Sequence, residues 1–220
     1  MADLTLTNYT ELKAAIASWL HRTDLTDQIP AFIALTEAKL QRVLKVGDQE
    51  ATATLSISSG TVALPTGFTK ARRLRYLASG GVYQDVPFVD LVPSNYDGVT
   101  TAAPVVATVQ GANIIFRPIP DQTYTGLLDY YAKFTPLSAA APTNWILTSH
   151  PDAYLYGSLL QSAPYVGSDT RITIWSDAFG AALEELERAD FEKRFSQNQA
   201  RSDVLGLLRP YRFNVNTGVT

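Results

Sequence analysis

The sequence has no cysteine and only two histidines among its 220 residues. The first absence excludes disulfides, thiolate metal sites and a cysteine nucleophile, and it fits a reducing compartment. The second leaves few groups able to carry a proton near neutral pH. His21 falls at a helix end, where a cation suits the dipole, and His150 falls at a helix start. Neither has a helical His or carboxylate partner at ligand spacing; Asp152 follows His150 too closely to share its face. Phosphate loops of the G-x-x-x-x-G-K and G-x-G-x-x-G kinds are missing as well. No apolar run approaches the roughly 18 residues of a membrane span. The opening Met1-Ala2-Asp3-Leu4-Thr5 lacks the basic stretch and apolar block of a secretory signal. A basic surplus is absent too: Lys+Arg is 18 against 21 Asp+Glu, a formal charge of −3. Chains that grip phosphate usually carry such a surplus. These absences lead us to expect a soluble, cytoplasmically made protein with no catalytic residue, no cofactor, no metal and no membrane contact. Any DNA it meets should pass without specific binding.

What is present is apolar material for one sizeable core, or one core and a satellite, since 46% of residues are hydrophobic. The chain reads as helices, then strands, then helices, an α+β class. Residues 8–21 form an amphipathic pattern with Asn8 as cap, Glu11 three residues on, and Tyr9, Leu12, Ile16 and Leu20 at helical spacing. A second helix is expected over about 25–45, with Pro30 in its first turn and Gly47 as its stop. A short connection implies an antiparallel pair.

From residue 50 the period becomes two. Three hairpins are expected, around Ser59-Gly60, around Ser79-Gly80-Gly81, and around Gly111 to Asn113. Thr125–Phe134 adds a further strand, giving about seven in all. After a loop over 135–144, a third helix should start near Ser149 or His150 and run to about Ala163. A long fourth helix should cover about 169–201, with Ile172, Trp175, Phe179, Leu183 and Leu186 as its stripe. The expected division is a bundle of about four helices from 1–48 and 135–201, an inserted antiparallel region over 49–134, and an extended tail over 202–220.

Two charged groups and the tail invite a functional reading. Glu184, Glu185 and Glu187 crowd the fourth helix; they read as a solvated face or as an acidic strip lining a channel. Lys70, Arg72, Arg73 and Arg75 form the one basic cluster. Strand alternation sends Lys70 and Arg72 to one face and Arg73 and Arg75 to the other, which favours ion pairs over a nucleic-acid patch. The tail carries Leu205, Leu207, Leu208, Tyr211 and Phe213, with Asp203 as its only acid. A terminal segment this apolar either folds back on its own core or docks on a partner by coupled folding and binding. Trp19, Trp145 and Trp175 read as core anchors.

Tyr9–Leu44 resembles the opening of the head-to-tail adaptor proteins of tailed bacteriophages, the connector group. So does Thr61-Val62-Ala63-Leu64-Pro65 followed by Gly67-Phe68. The most specific block is Asn144-Trp145-Ile146-Leu147-Thr148-Ser149-His150-Pro151-Asp152, continuing through Tyr154-Leu155-Tyr156-Gly157. It is similar to the family's N-W-L-L-x-x-H-P-D-x-Y-L-Y-G string. Within this block Trp145, His150, Pro151, Asp152 and Gly157 have packing and capping roles that need no pocket. The resemblance implies a virion protein of the head–tail neck, assembled in the host cytoplasm. It implies a homo-oligomeric, dodecameric ring beneath the portal protein that extends the DNA channel and receives a downstream tail or nozzle protein. It also implies a C-terminal segment reaching into the portal. The alternatives are a neck, tail-tube or head-completion protein, a wall-degrading hydrolase built on a carboxylate pair, or a carbohydrate-binding module on the strands.

Overall fold

The computed structural model describes residues 5–91, 96, 101–167 and 169–194. Its helices lie at both ends of this span and its antiparallel strands between them, so the class is α+β.

Helix α1 (Tyr9–Leu20) starts where Asn8 turns extended and its Oδ1 accepts the N–H groups of Thr10 and Glu11. Glu11 reaches back to accept from the N–H and hydroxyl of Thr7, so the first turn is satisfied from both sides. The helix stops at His21 in the left-handed conformation (φ 52°). Helix α2 (Ile29–Val43) begins later than the spacing predicts, because residues 24–28 form turns before Pro30 opens it. It also ends before Gly47. Leu44 is extended, and the Lys45 ammonium donates to the carbonyls of Gln41, Arg42 and Leu44. A lysine thus does the terminating work assigned to glycine, satisfying carbonyls the helix leaves open.

On the C-terminal side, α3 (Trp145–Ser149), α4 (Pro151–Gln161), α5 (Ala163–Val166) and α6 (Arg171–Arg194) follow. The short helix α3 lies where the spacing predicts only an approach to α4. The fourth expected helix corresponds to α6; positions 195–201 lie outside the described residues. Helix α4 is the hub, touching α1, α2, α3, α5 and α6. The core around it includes Leu12, Ile16, Phe32, Ile33, Tyr154 and Trp175.

Among the described residues, seven strands occupy the middle: β1 (Glu50–Ile57), β2 (Thr61–Ala63), β3 (Phe68–Leu77), β4 (Tyr83–Asp85), β5 (Val106–Gln110), β6 (Asn113–Arg117) and β7 (Tyr124–Ala132). They form two antiparallel sheets, in the orders β1-β7-β3-β4 and β2-β6-β5. The hairpins at Gly80-Gly81 and Gly111 are present, and all three glycines have positive φ. The expected hairpin at Ser59-Gly60 is not: β1 pairs β7 and β2 pairs β6. Gly60 lacks the positive φ of a tight hairpin turn, and the chain there crosses from one sheet to the other. Strand β4 is shorter than expected because Pro87 has no N–H for the ladder. The chain leaves β3 there, and the Pro87 carbonyl accepts from Ala107 in β5. A second apolar cluster, with Ile57, Leu74, Ile114, Phe116 and Leu128 fully buried, lies among the strands.

Candidate assembly surfaces

The block from Asn144 to Gly157 builds one junction. Asn144 caps α3 by accepting from the N–H of Leu147, while its amide donates to the Thr135 carbonyl and the Tyr154 hydroxyl. Trp145 opens α3 half-buried against the helical core. His150 ends α3, donating its N–H to Ile146, and its carbonyl accepts from Ala153 at the start of α4. Pro151 takes the first turn of α4, where its missing N–H costs nothing. Asp152 stands beside it, where the helix dipole favours an anion. Gly157 lies where α4 crosses its neighbours: a Cβ there would meet Thr36 Cγ2 at 2.5 Å and Phe179 Cε2 at 2.9 Å.

Beneath this junction is a group that sequence reasoning missed. Glu37 is 6% exposed. Its Oε1 accepts from the Leu137 N–H at 2.6 Å and from the Tyr154 hydroxyl at 3.0 Å. One carboxylate therefore ties α2, the return loop and α4 together. Burial pushes its pKa above the ordinary 4.5, against the two hydrogen bonds that lower it. Burial, helped by the neighbouring carboxylate, pushes the Tyr154 phenol up as well. A raised carboxyl pKa favours the neutral form in the folded state. That contribution is full below the ordinary value and lost as pH rises through the raised one. Glu37→Gln keeps an acceptor oxygen and never ionises. In paired thermal melts its stability relative to the parent should therefore grow from pH 4 to pH 7; a constant or shrinking difference would contradict the assignment. The spacing Ile33, Glu37, Leu40, Leu44 puts the glutamate on the apolar face of α2, a signal that was available in the sequence.

The acidic residues of α6 do not share one strip. Trp175, Phe179, Ala182 and Leu186 turn inward, and Glu184, Glu185 and Glu187 are all exposed. Glu185 lies about 160° around the axis from Glu187. Glu187 borders a pocket of about 290 Å³ with Val43, Lys45 and Phe191. The end of α6 is fixed to the start of the strands. Asp190 accepts from the Gly47 N–H at 2.6 Å, Lys193 pairs with Asp48 at 2.6 Å, and Arg194 pairs with Glu50 at 2.7 Å. The expected tail contacts Leu205, Leu207, Leu208, Tyr211 and Phe213 lie outside the described residues.

The basic cluster corrects the alternation argument. Ala71 pairs with Tyr130 and Arg73 with Asp129, so Arg72 is an extra residue in a bulge. Lys70, Arg73 and Arg75 then fall opposite Tyr131, Asp129 and Leu127, positions of one face, and Arg72 joins Arg73 around one pocket. The guanidiniums are paired: Arg72 with Glu50, Arg73 with Asp85 at 2.7 Å, and Arg75 with Asp129 at 3.6 Å.

A groove of about 680 Å³ opens between α2 and the ends of β3 and β7. Ala34, Ala38, Thr69 and Pro136 line it, with Arg42, Lys45 and Lys133 among its charged residues. Gln41 Oε1 and Thr69 Oγ1, both buried in its wall, have no hydrogen-bond partner among the described residues. Within the same span no three His, Asp or Glu side chains converge as metal ligands, and no helix is long and apolar enough to cross a membrane.

A family model described as SU10 adaptor protein matches residues 7–203, a family of phage head–tail adaptors. The chain belongs to the SU10 adaptor protein family. No curated protein matches it.

Proposed function

We propose that the chain is one subunit of a closed ring, dodecameric, that stacks beneath the portal, extends the DNA channel and presents the platform for a tail or nozzle protein. The family match across residues 7–203 carries this reading. In it the helices of 1–48 and 135–201 form a bundle that makes the ring wall, the strands of 49–134 project from the wall, and the segment 202–220 docks on the portal. Ring closure requires a heterologous contact, one face of each subunit meeting a different face of the next. A formal charge of −3 per subunit, with Glu187 exposed, favours a channel from which DNA slides free. The paired state of Arg72, Arg73 and Arg75 supports the same reading, since guanidiniums held by carboxylates are not free for phosphate.

The tail is proposed to bind through Leu205, Leu207, Leu208, Tyr211 and Phe213. Each contact is weak alone, and repetition around the ring multiplies it, by about 10²–10⁴ even for two linked sites. A chain truncated after residue 202 should keep its far-ultraviolet circular dichroism and melting temperature yet fail to co-sediment with purified portal. Negative-stain imaging of the parent with portal should show a ring on the portal's lower face. Undiminished portal binding by the truncated chain would refute the docking role of the tail, and a parent that decorates portals without forming a ring would refute the ring.

A further inference from the structure

The groove between α2 and the ends of β3 and β7 has a composition that fits neither solvent nor the chain's own tail. Its helical wall is the flank of α2 that carries Ala34 and Ala38, both exposed, and Gln41, followed by Arg42 and then Lys45. A surface helix ordinarily turns charge to water on that side. Its charged members are Arg42, Lys45 and Lys133, set against the single buried acid Glu37. Burial and the nearby Lys70 hold the Lys45 ammonium below its ordinary range, and Lys70 adds a further cation beside the groove. The segment 202–220 carries Arg209 and Arg212 against Asp203, the wrong sign for this rim.

One described surface has the complementary character. The outward face of α6 presents Ile174, 65% exposed, then Asp177, Ala181, Glu184 and Glu185, all exposed, with three acids before its one cation at Arg188. Within one chain the two faces cannot meet, because α2 and α6 both turn their buried stripes toward α4 and these faces away from it. Between chains they can. We infer that the groove lined by Ala38, Arg42 and Lys45 receives the acidic outer face of α6, centred on Ala181, Glu184 and Glu185, from a second copy of the chain. Two different patches then meet, the heterologous geometry that a ring requires. Gln41 Oε1 and Thr69 Oγ1, without hydrogen-bond partners among the described residues, lie in the wall of the same groove. The inference rests on the ring reading above and adds which faces form the contact.

The absence of cysteine gives a clean test in the full-length protein, assembled with portal. Ala38→Cys and Ala181→Cys, both at exposed positions, are prepared separately, mixed, assembled and oxidised. The mixture should yield a cross-linked dimer on non-reducing gels at least about tenfold above either variant alone, because only unlike patches meet. In a single chain carrying both substitutions, the product should be a ladder of multimers. Arg42→Glu with Lys45→Glu should cut the cross-link about tenfold, and adding Glu184→Lys with Glu185→Lys on the partner variant should restore it. Circular dichroism checks that each variant is folded, and a reversal at the exposed acids alone serves if Lys45 proves needed to end α2. Preferential linking of Ala38→Cys to itself, or charge reversals that leave the yield unchanged, would overturn the inference. Rings seen by imaging without the unlike-patch cross-link would sink this interface and leave the ring standing. Absence of both rings and cross-link would remove the two together.

Discussion

Tyr154→Ala is expected to lower the free energy of unfolding by about 3–5 kcal/mol, the range for removing a large buried aromatic. Tyr154 is fully buried at the centre of the helical core. Its ring fills space on α4, the helix against which α1, α2 and α6 pack. Its hydroxyl donates to Glu37 and accepts from the Asn144 amide at 2.6 Å. Truncation therefore leaves a cavity and also strips a partner from a buried carboxylate. Tyr154→Phe separates the two contributions. It keeps the ring and removes only the hydroxyl, so about 1–3 kcal/mol should be lost for the polar groups left short of a partner. Urea unfolding followed by tryptophan fluorescence reads both variants. Trp145 and Trp175 report on the helical core directly, and Trp19 packs edge-to-face on Tyr156 two residues from the site. A loss below about 1.5 kcal/mol for alanine would mean that the site collapses readily and that α4 is not the hub described.

The second large effect concerns a residue that has no side chain. Gly157→Val should cost about 3 kcal/mol, the upper end for forcing atoms into a packed interior. The first added carbon already lies 2.5 Å from Thr36 Cγ2 and 2.9 Å from a ring carbon of Phe179. Thr36 is held by its own hydroxyl donating to the Phe32 carbonyl, and Phe179 lies beneath the Lys39 ammonium, so neither neighbour moves freely. Gly157→Ala introduces the same first carbon but gains about 1 kcal/mol of helix propensity, and its net loss should be smaller. Gly180 on α6 is the control. A Cβ there meets nothing, and Gly180→Ala should raise the midpoint in the same urea titration. Equal effects at the two glycines would show that the helices are not in close contact at Gly157.

Much of the helical scaffold could be read in advance, for local reasons. Asn8 with Glu11, and Pro151 with Asp152, are signals that act within one turn, and each sits at the start of a helix. The strands were legible as strands but less so as partners. Sequence spacing suggested that β1 folds onto β2 through Ser59-Gly60, yet β1 runs beside β7, 67 residues from the end of one to the start of the other in the pairing Ile57↔Tyr124. Such pairing is settled by which apolar faces cover each other, and a local turn signal carries no information about it. The bulge at Arg72 is a second case. One extra residue reverses the face assignment of Lys70 and Ala71, a second shift at Thr69 restores it at Phe68, and nothing in the run Lys70-Ala71-Arg72-Arg73 announces it.

The candidate surfaces were less visible still. The acidic residues on α6 looked like a cluster because they are adjacent in sequence, but Glu184, Glu185 and Glu187 fan across about 160° of the helix. The groove against α2 arises from α2, β3 and the segment after β7 together, elements separated by roughly a hundred residues of chain. Glu37 did carry a signal, a charged side chain at an apolar position of a clear helical repeat. Its partners Leu137 and Tyr154 could not have been named without the fold.

The pairing of β1 with β7 has a consequence for how such a protein can change over generations. Glu50 lies opposite Tyr131, so the chain enters and leaves the strand segment through one narrow neck. Everything between those two points can be lengthened, shortened or exchanged while the ends stay the same distance apart, and the helices need not register the difference. A lineage could therefore fit new neighbours by rewriting the segment beyond the neck, while the packing around α4 stays untouched.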